Sequence, residues 1–212
     1  MNTTFLPAID LLGTIAFAIS GAFAGVHKDM DLFGINVLAV TTACGGGLIR
    51  DLLIGITPPA ACLNPFYVTV AAVTANIIFL ILKMHKAMPA RAFQVYDSML
   101  FVFDTLGLAA FTVNGVMVGV SSGHSDNLFL LTFLGFLTGV GGGVLRDLMA
   151  DQVPDIFRKH IYALAAIAGG LTTGLVLPHV QDPTGAMLAG FAVVVLLRCL
   201  AKHYRWNLPK IS

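Results

Sequence analysis

The segment Gly45-Gly46-Gly47-Leu48-Ile49-Arg50-Asp51-Leu52 returns 96 residues later as Gly141-Gly142-Gly143-Val144-Leu145-Arg146-Asp147-Leu148. Both copies lie inside long apolar runs. Three consecutive glycines weaken a helix and permit it to break or bend. Charges at membrane depth are costly and are usually functional. Freed backbone groups and buried charges must face protein or water, never lipid. Any fold of this chain has to meet that demand twice, at matching positions.

The surroundings are those of a membrane protein. Of the 212 residues, 57% are hydrophobic and 11% charged, against about 25% charged in soluble domains. Seven apolar segments are long enough to cross a bilayer. They run from Phe5 to Val26, Leu32 to Ile56, Phe66 to Leu82, Ser98 to Val120, Leu128 to Met149, His160 to Leu177 and Thr184 to Leu200. Short polar or proline-containing stretches join them, such as Lys28 to Asp31, Thr57 to Pro59 and Asp151 to Lys159. The chain from 1 to 212 reads as a single membrane domain. The start lacks the basic residues of a signal peptide, so the first run reads as an uncleaved span.

The duplication is wider than the glycine motif. Asp10, Leu12, Gly13, Ala16, Phe17, Gly21 and Gly25 align with Asp104, Leu106, Gly107, Ala110, Phe111, Gly115 and Gly119, at an offset of 94. Repeat one covers about 5–84, repeat two about 97–178, and a seventh helix about 184–203. Three spans per repeat force the copies to insert upside down relative to each other. The predicted fold is an all-α membrane protein, an inverted 3+3 repeat plus one C-terminal helix. That plan is typical of transport proteins.

Basic residues set the orientation. With the N-terminus on side A, side B receives Lys28, Lys83, Lys86, Arg91, Arg158, Lys159, Arg198, Lys202, Arg205 and Lys210. Arg50 and Arg146 lie inside spans, and the side A loops carry no Lys or Arg. The expectation is a cytoplasmic side B, with the N-terminus outside and the C-terminus inside.

Three features bear on function. The triplets either open the backbone for an ion pathway or let helices pack closely. Asp10 lies about 8 Å into the first span and Arg50 about 9 Å from the end of the second, both near side A. Asp104 and Arg146 stand in the same relation near side B. The predicted pairings are therefore Asp10 with Arg50 and Asp104 with Arg146, with Asp51 and Asp147 able to share them. Thr41, Thr42 and Thr138 precede the triplets; their hydroxyls either line a cation path or bond back to a helical carbonyl. Asn76 and Asn114 read as interhelical links.

Other classes of function find little support. Cys44, Cys62 and Cys199 form no CxxC pair. The six histidines sit at span ends or loops without HExxH spacing, and GxxxxGK[ST] is absent. No nucleophile–base arrangement is visible, so the chain does not read as an enzyme. A formal net charge of +1 gives no basic field for nucleic acid.

The duplicated Gly-Gly-Gly-x-x-Arg-Asp segment, the Asp10 and Asp104 helices and the 3+3+1 plan resemble the trimeric intracellular cation channel family in its prokaryotic form. Bacterial relatives also carry the label of a glycine transporter domain. The resemblance runs from about Asp10 to Arg198. It implies a homotrimer in the plasma membrane of a prokaryote, with one pore per subunit through the second and fifth helices. Gly45, Gly46, Gly47, Gly141, Gly142 and Gly143 would form the pore bends. Arg50, Asp51, Arg146 and Asp147 would lie at or near the path. Potassium would be the main permeant ion, with sodium also passing and no cofactor. Animal members have lysine-containing motifs and bind an inositol lipid; this chain has Arg-Asp, so lipid regulation does not carry over. The rival reading is a secondary carrier for glycine or another small neutral amino acid. There, Arg50 or Arg146 would meet the carboxylate and Asp51 or Asp147 the amine.

Overall fold

A computed structural model describes residues 5–84, 91–158 and 161–206, with side chains from residue 98 onward in the middle segment. Lys86, Lys159 and Lys210 of the orientation argument lie outside the described residues, as do His85 and His160; Arg91 is described by its backbone only.

The helices are α1 (Phe5–His27), α2 (Leu32–Leu53), a short α3 (Ala60–Leu63), α4 (Phe66–Met84), α5 (Arg91–Ser121), α6 (Leu128–Met149), a short α7 (Asp155–Arg158), α8 (Tyr162–Val176) and α9 (Pro183–His203). Six of these helices, and α8 together with the 3-10 turn Leu177–His179 that continues it, are long and apolar enough to span a bilayer. In α5 that stretch begins at Ser98, as expected, but the helix itself starts at Arg91. The second span ends at Leu53 rather than Ile56, and the sixth starts at Tyr162.

Start signals repeat with the helices. Asp31 caps α2 by accepting from the Gly34 N–H, and Asn127 caps α6 by accepting from the Leu130 N–H. Each satisfies one of the backbone donors left open at a helix start. Asp182 caps α9 in the same way, and its bonds from Thr184 hold its carboxyl below the ordinary carboxylate range.

Packing follows the duplication. α1 packs on α2 and α4 as α5 packs on α6 and α8. The repeats join through α1 against α5 and α2 against α6. These four helices form the centre, while α4 covers repeat one and α8 covers repeat two. α9 breaks the symmetry by packing on α8 and α5. Small residues set the close approaches. Gly21 lies against Ala39 and Thr42 of α2, and Gly115 lies against Leu134 and Gly135 of α6. These small-residue faces are therefore used within one chain. Asn76 donates to Asn36 at 2.9 Å, tying α4 to α2.

Candidate functional site

The glycine triplets do not break their helices. Helical backbone runs without interruption through 45–47 and 141–143, so the freed carbonyls expected there are not formed. What the triplets provide is contact between α2 and α6. A Cβ on Gly46 would fall on the Thr138 carbonyl oxygen, and a Cβ on Gly142 on the Thr42 carbonyl oxygen. One on Gly141 would sit 3.0 Å from the Gly46 Cα. The two helices cross backbone to backbone, and only glycine permits it. Beside this crossing the Phe17 and Phe111 rings, equivalent residues of the two repeats, meet at 5.2 Å between centroids. The middle of the bundle is closed by these groups.

The hydroxyls also turn inward. Thr42 and Thr138 donate to the Leu38 and Leu134 carbonyls, each at 2.6 Å. Thr41 lies in an apolar groove with Val40, Cys62, Val68 and Leu145, which shares Cys44 and Ala61 with the cavity beside the charged cluster.

On either side of the crossing stands a charged cluster, one per repeat. In repeat one, Arg50 Nη2 and Nε donate to Asp51 Oδ1 at 2.8 and 2.9 Å. Its Nη1 donates to Asn114 Oδ1 on α5 at 2.7 Å. In repeat two, Arg146 pairs with Asp147 at 2.8 Å and donates to Ser20 on α1. Asn114 is Ser20 carried forward by the repeat offset of 94. Each arginine thus reaches across to the first helix of the other repeat, at the equivalent position.

The free carboxylate oxygens are held alike. Asp51 Oδ2 accepts from the Ala60 N–H at 3.0 Å, and Asp147 Oδ2 from the Asp155 N–H at 2.9 Å. These donors are the first residues of α3 and α7. The short helices close the ends of α2 and α6 and keep the arginine-bound carboxylates in place.

The predicted aspartate–arginine pairings divide. Arg146 Nη1 meets Asp104 Oδ1 at 2.8 Å, as expected. Asp10 and Arg50 share a cavity but form no ion pair within 4 Å. Arg50 is spent on Asp51 and Asn114, while Asp10 interacts with the Tyr67 hydroxyl of α4. Tyr162, the counterpart of Tyr67, donates to Asp104 at 3.3 Å. Neither tyrosine was singled out from the sequence, although they recur at an offset of 95.

The clusters differ in access. Repeat one's cluster opens into a cavity of about 180 Å³, lined among others by Asp10, Cys44, Gly47, Arg50, Tyr67 and Asn114. That space is large enough for several waters. The cavity reaches Phe111 and Thr138 at the crossing. In repeat two, Asp104, Arg146 and Tyr162 are each at most 2% exposed. Arg198 of α9 joins this cluster. It lies 4% exposed, with Nη2 3.1 Å from Asp104 Oδ2. The sequence reading placed Arg198 with the interfacial charges of side B; it is instead a buried member of this cluster. Its isolation in the run Leu196-Leu197-Arg198-Cys199-Leu200 was the available signal. The two half-sites thus differ: a cavity adjoins the first, and Arg198 enters the second.

Two inverted bundles that meet at buried, paired charges define a multi-pass membrane protein of the transport class. A family model described as Glycine transporter matches residues 7–83 and again 101–178, once per repeat. A UPF0126 membrane protein of Deinococcus radiodurans is 38% identical over 203 residues, covering 95% of this chain and 89% of the relative. The TRIC trimeric intracellular cation channel orthologue from Rhodobacter sphaeroides superposes with a TM-score of 0.84 at 30% identity, over 96% of this chain and 100% of that one. A TRIC cation channel solved to explain conductance gives 0.82 at 32%, over 97% of both chains. The chain belongs to this family, the prokaryotic form of the trimeric intracellular cation channels.

Proposed function

We propose that the protein is a homotrimeric, potassium-permeable monovalent cation channel with one pore in each subunit, the chain 1–212 acting as one membrane domain. The observation that carries this reading is the open half-site. Asp10, Arg50 and Asp51 bring a formal charge of −1 to a cavity that ends at the α2–α6 crossing. A polar cavity with excess negative charge attracts a cation, and neutral oxygens replace part of its water shell. The oxygens at hand are those of Asp10, Asn114, Tyr67 and Thr14. Arg50 does not repel the ion outright, because Asp51 neutralises it at 2.8 Å.

Conduction then requires the Phe17–Phe111 and Gly46–Gly142 crossing to part and the filled half-site to open. The glycines act in this reading as the plane along which α2 and α6 slide, rather than as fixed breaks. Sodium passes as a second ion, and the chemistry is passive conduction without a catalytic step. The side bearing Asp10 faces the exterior and the side bearing Asp104 the cytoplasm, in line with the basic residues near the second side.

A carrier of glycine is the second reading. The cavity that supports it is lined by Arg50, Asp10 and Tyr67, a combination suited to a small zwitterion. Purified protein in liposomes separates the two. Potassium flux in single-channel steps supports the channel. Saturable exchange of labelled glycine without such steps overturns it.

A further inference from the structure

We propose that Arg198 is a tethered cation that occupies a monovalent-cation site in the cytoplasmic half of the protein and holds that half closed. The inference rests on the channel reading and names the residue that regulates it. It comes from comparing two half-sites that the duplication makes equivalent and the seventh helix makes different.

Without Arg198, the repeat-two cluster consists of Asp104, Arg146 and Asp147, with a formal charge of −1. That is the composition of the open cluster, Asp10, Arg50 and Asp51. With Arg198 the sum is zero, and Asp104, Arg146 and Arg198 are each at most 4% exposed. The guanidinium touches groups that also suit a small cation. Its Nη2 lies 3.1 Å from Asp104 Oδ2, and its Nε donates to Thr105 Oγ1 at 3.4 Å. It lies 4.5 Å from the Tyr162 ring centroid and 4.9 Å from that of Phe101. Carboxylate, hydroxyl and aromatic faces all stabilise a partly dehydrated cation.

The residues that hold Arg198 include positions where the repeats diverge. Thr105 corresponds to Leu11, and Phe101 to Pro7, by the offset of 94. Repeat one therefore lacks both the hydroxyl and the ring that seat a guanidinium. The Asp and Tyr that both half-sites share are retained as Asp10 and Tyr67. A purely structural arginine would not need its site to be a charge-matched copy of an open cavity. Lys202, one turn further along α9 and 3.9 Å from the Phe101 ring centroid, braces the same face. α9 packs on α5 and α8, so release of Arg198 requires α9 to move against those two helices.

The test reads binding separately from flux. Purified wild type, R198M, R198K and the double variant R198M/D104N are melted in detergent, in potassium chloride and in equal N-methylglucamine chloride. R198M should gain about 3 °C from potassium, as a site newly open to the ion predicts. Wild type and R198K, still plugged, should respond at least several-fold less. The double variant has lost the extra negative charge and should not respond. An R198M protein indifferent to potassium overturns the proposal, as does a double variant that responds equally. R198Q replaces R198M if the latter does not fold. Should both fold only when potassium or guanidinium is supplied, the site is supported. Should they fold in no salt, Arg198 is a structural tie and the proposal fails.

In liposomes, R198M should raise potassium flux several-fold, and ethylguanidinium should reverse the rise. Unchanged flux beside a conducting wild type overturns the closing role. A wild type that exchanges glycine and passes no potassium sinks the channel reading, while the melting result still decides whether the cation site exists.

Discussion

Arg50 donates to the Asn114 carboxamide at 2.7 Å, joining the last turns of α2 to a helix of the opposite repeat. Its twin, Arg146 to Ser20, runs the other way through the bundle. Together they lock the two inverted halves to each other at the level of the charges. A motif that looks local in sequence is therefore an inter-repeat fastening.

The two fastenings should differ in strength. Arg146 is 1% exposed and holds Asp104, Asp147 and Ser20. R146M strands buried carboxylates and should cost about 3–5 kcal/mol. N114A leaves one Arg50 donor facing a cavity that water can enter and should cost about 1 kcal/mol. Thermal unfolding in detergent ranks them, and equal losses would contradict the difference in burial.

The triplet positions should respond unequally to a single methyl group. At Gly46 and Gly142 a Cβ meets the backbone of the facing helix, which cannot rotate away. G46A and G142A should each destabilise by about 1–3 kcal/mol or more. At Gly47 the nearest outside atom is an Arg50 nitrogen at 3.6 Å, an ordinary contact. G47A should fold nearly as wild type. Leucine at Gly46 and Gly142 should on this geometry impair folding itself. Expression yield and melting temperature measure both effects.

Charge in the open cavity should govern cation entry. D10N removes the excess negative charge without changing shape, and leaves Arg50 with its own partners. Potassium flux should fall several-fold, most at low ionic strength where screening is weakest. A flux equal to wild type at every salt concentration would remove Asp10 from the path.

Cys44 gives chemical access to the same space. It lines the cavity and is 8% exposed, whereas Cys62 and Cys199 lie exposed elsewhere on the chain. In a C62S/C199S background, a small cationic thiol reagent applied from the Asp10 side should block flux progressively, with C44A resistant. Equal block of the C44A protein would place the reagent elsewhere.

Much of the framework was legible because it depends on periodic, local properties. Apolar run length gave the seven spans, since a bilayer sets the length a helix must have. The offsets of 94 to 96 gave the repeat, and three spans per repeat gave its inversion. Helix caps at Asp31 and Asn127 repeat for the same reason. The Asp104–Arg146 pair was accessible because both charges sit at matching depth, and a buried charge needs a partner.

Depth alone could not say which partner each group would take. Asp10 and Arg50 have the same depth relation as Asp104 and Arg146, yet only the second pair forms. Asn114 and Tyr67 compete in the first half, and Arg198 arrives in the second. The glycines posed the same problem, since a run of three serves a break or a close crossing equally well in sequence. The choice fell to what faces each helix, namely the carbonyls of Thr138 and Thr42.

The sequence by itself determined seven spans, their inverted pairing and the two buried charge clusters, because length, repetition and the cost of charge in lipid act residue by residue. Only the tertiary structure decided that one cluster stands open and the other is filled. That asymmetry comes from α9, which has no counterpart in the duplication and lands on one half alone.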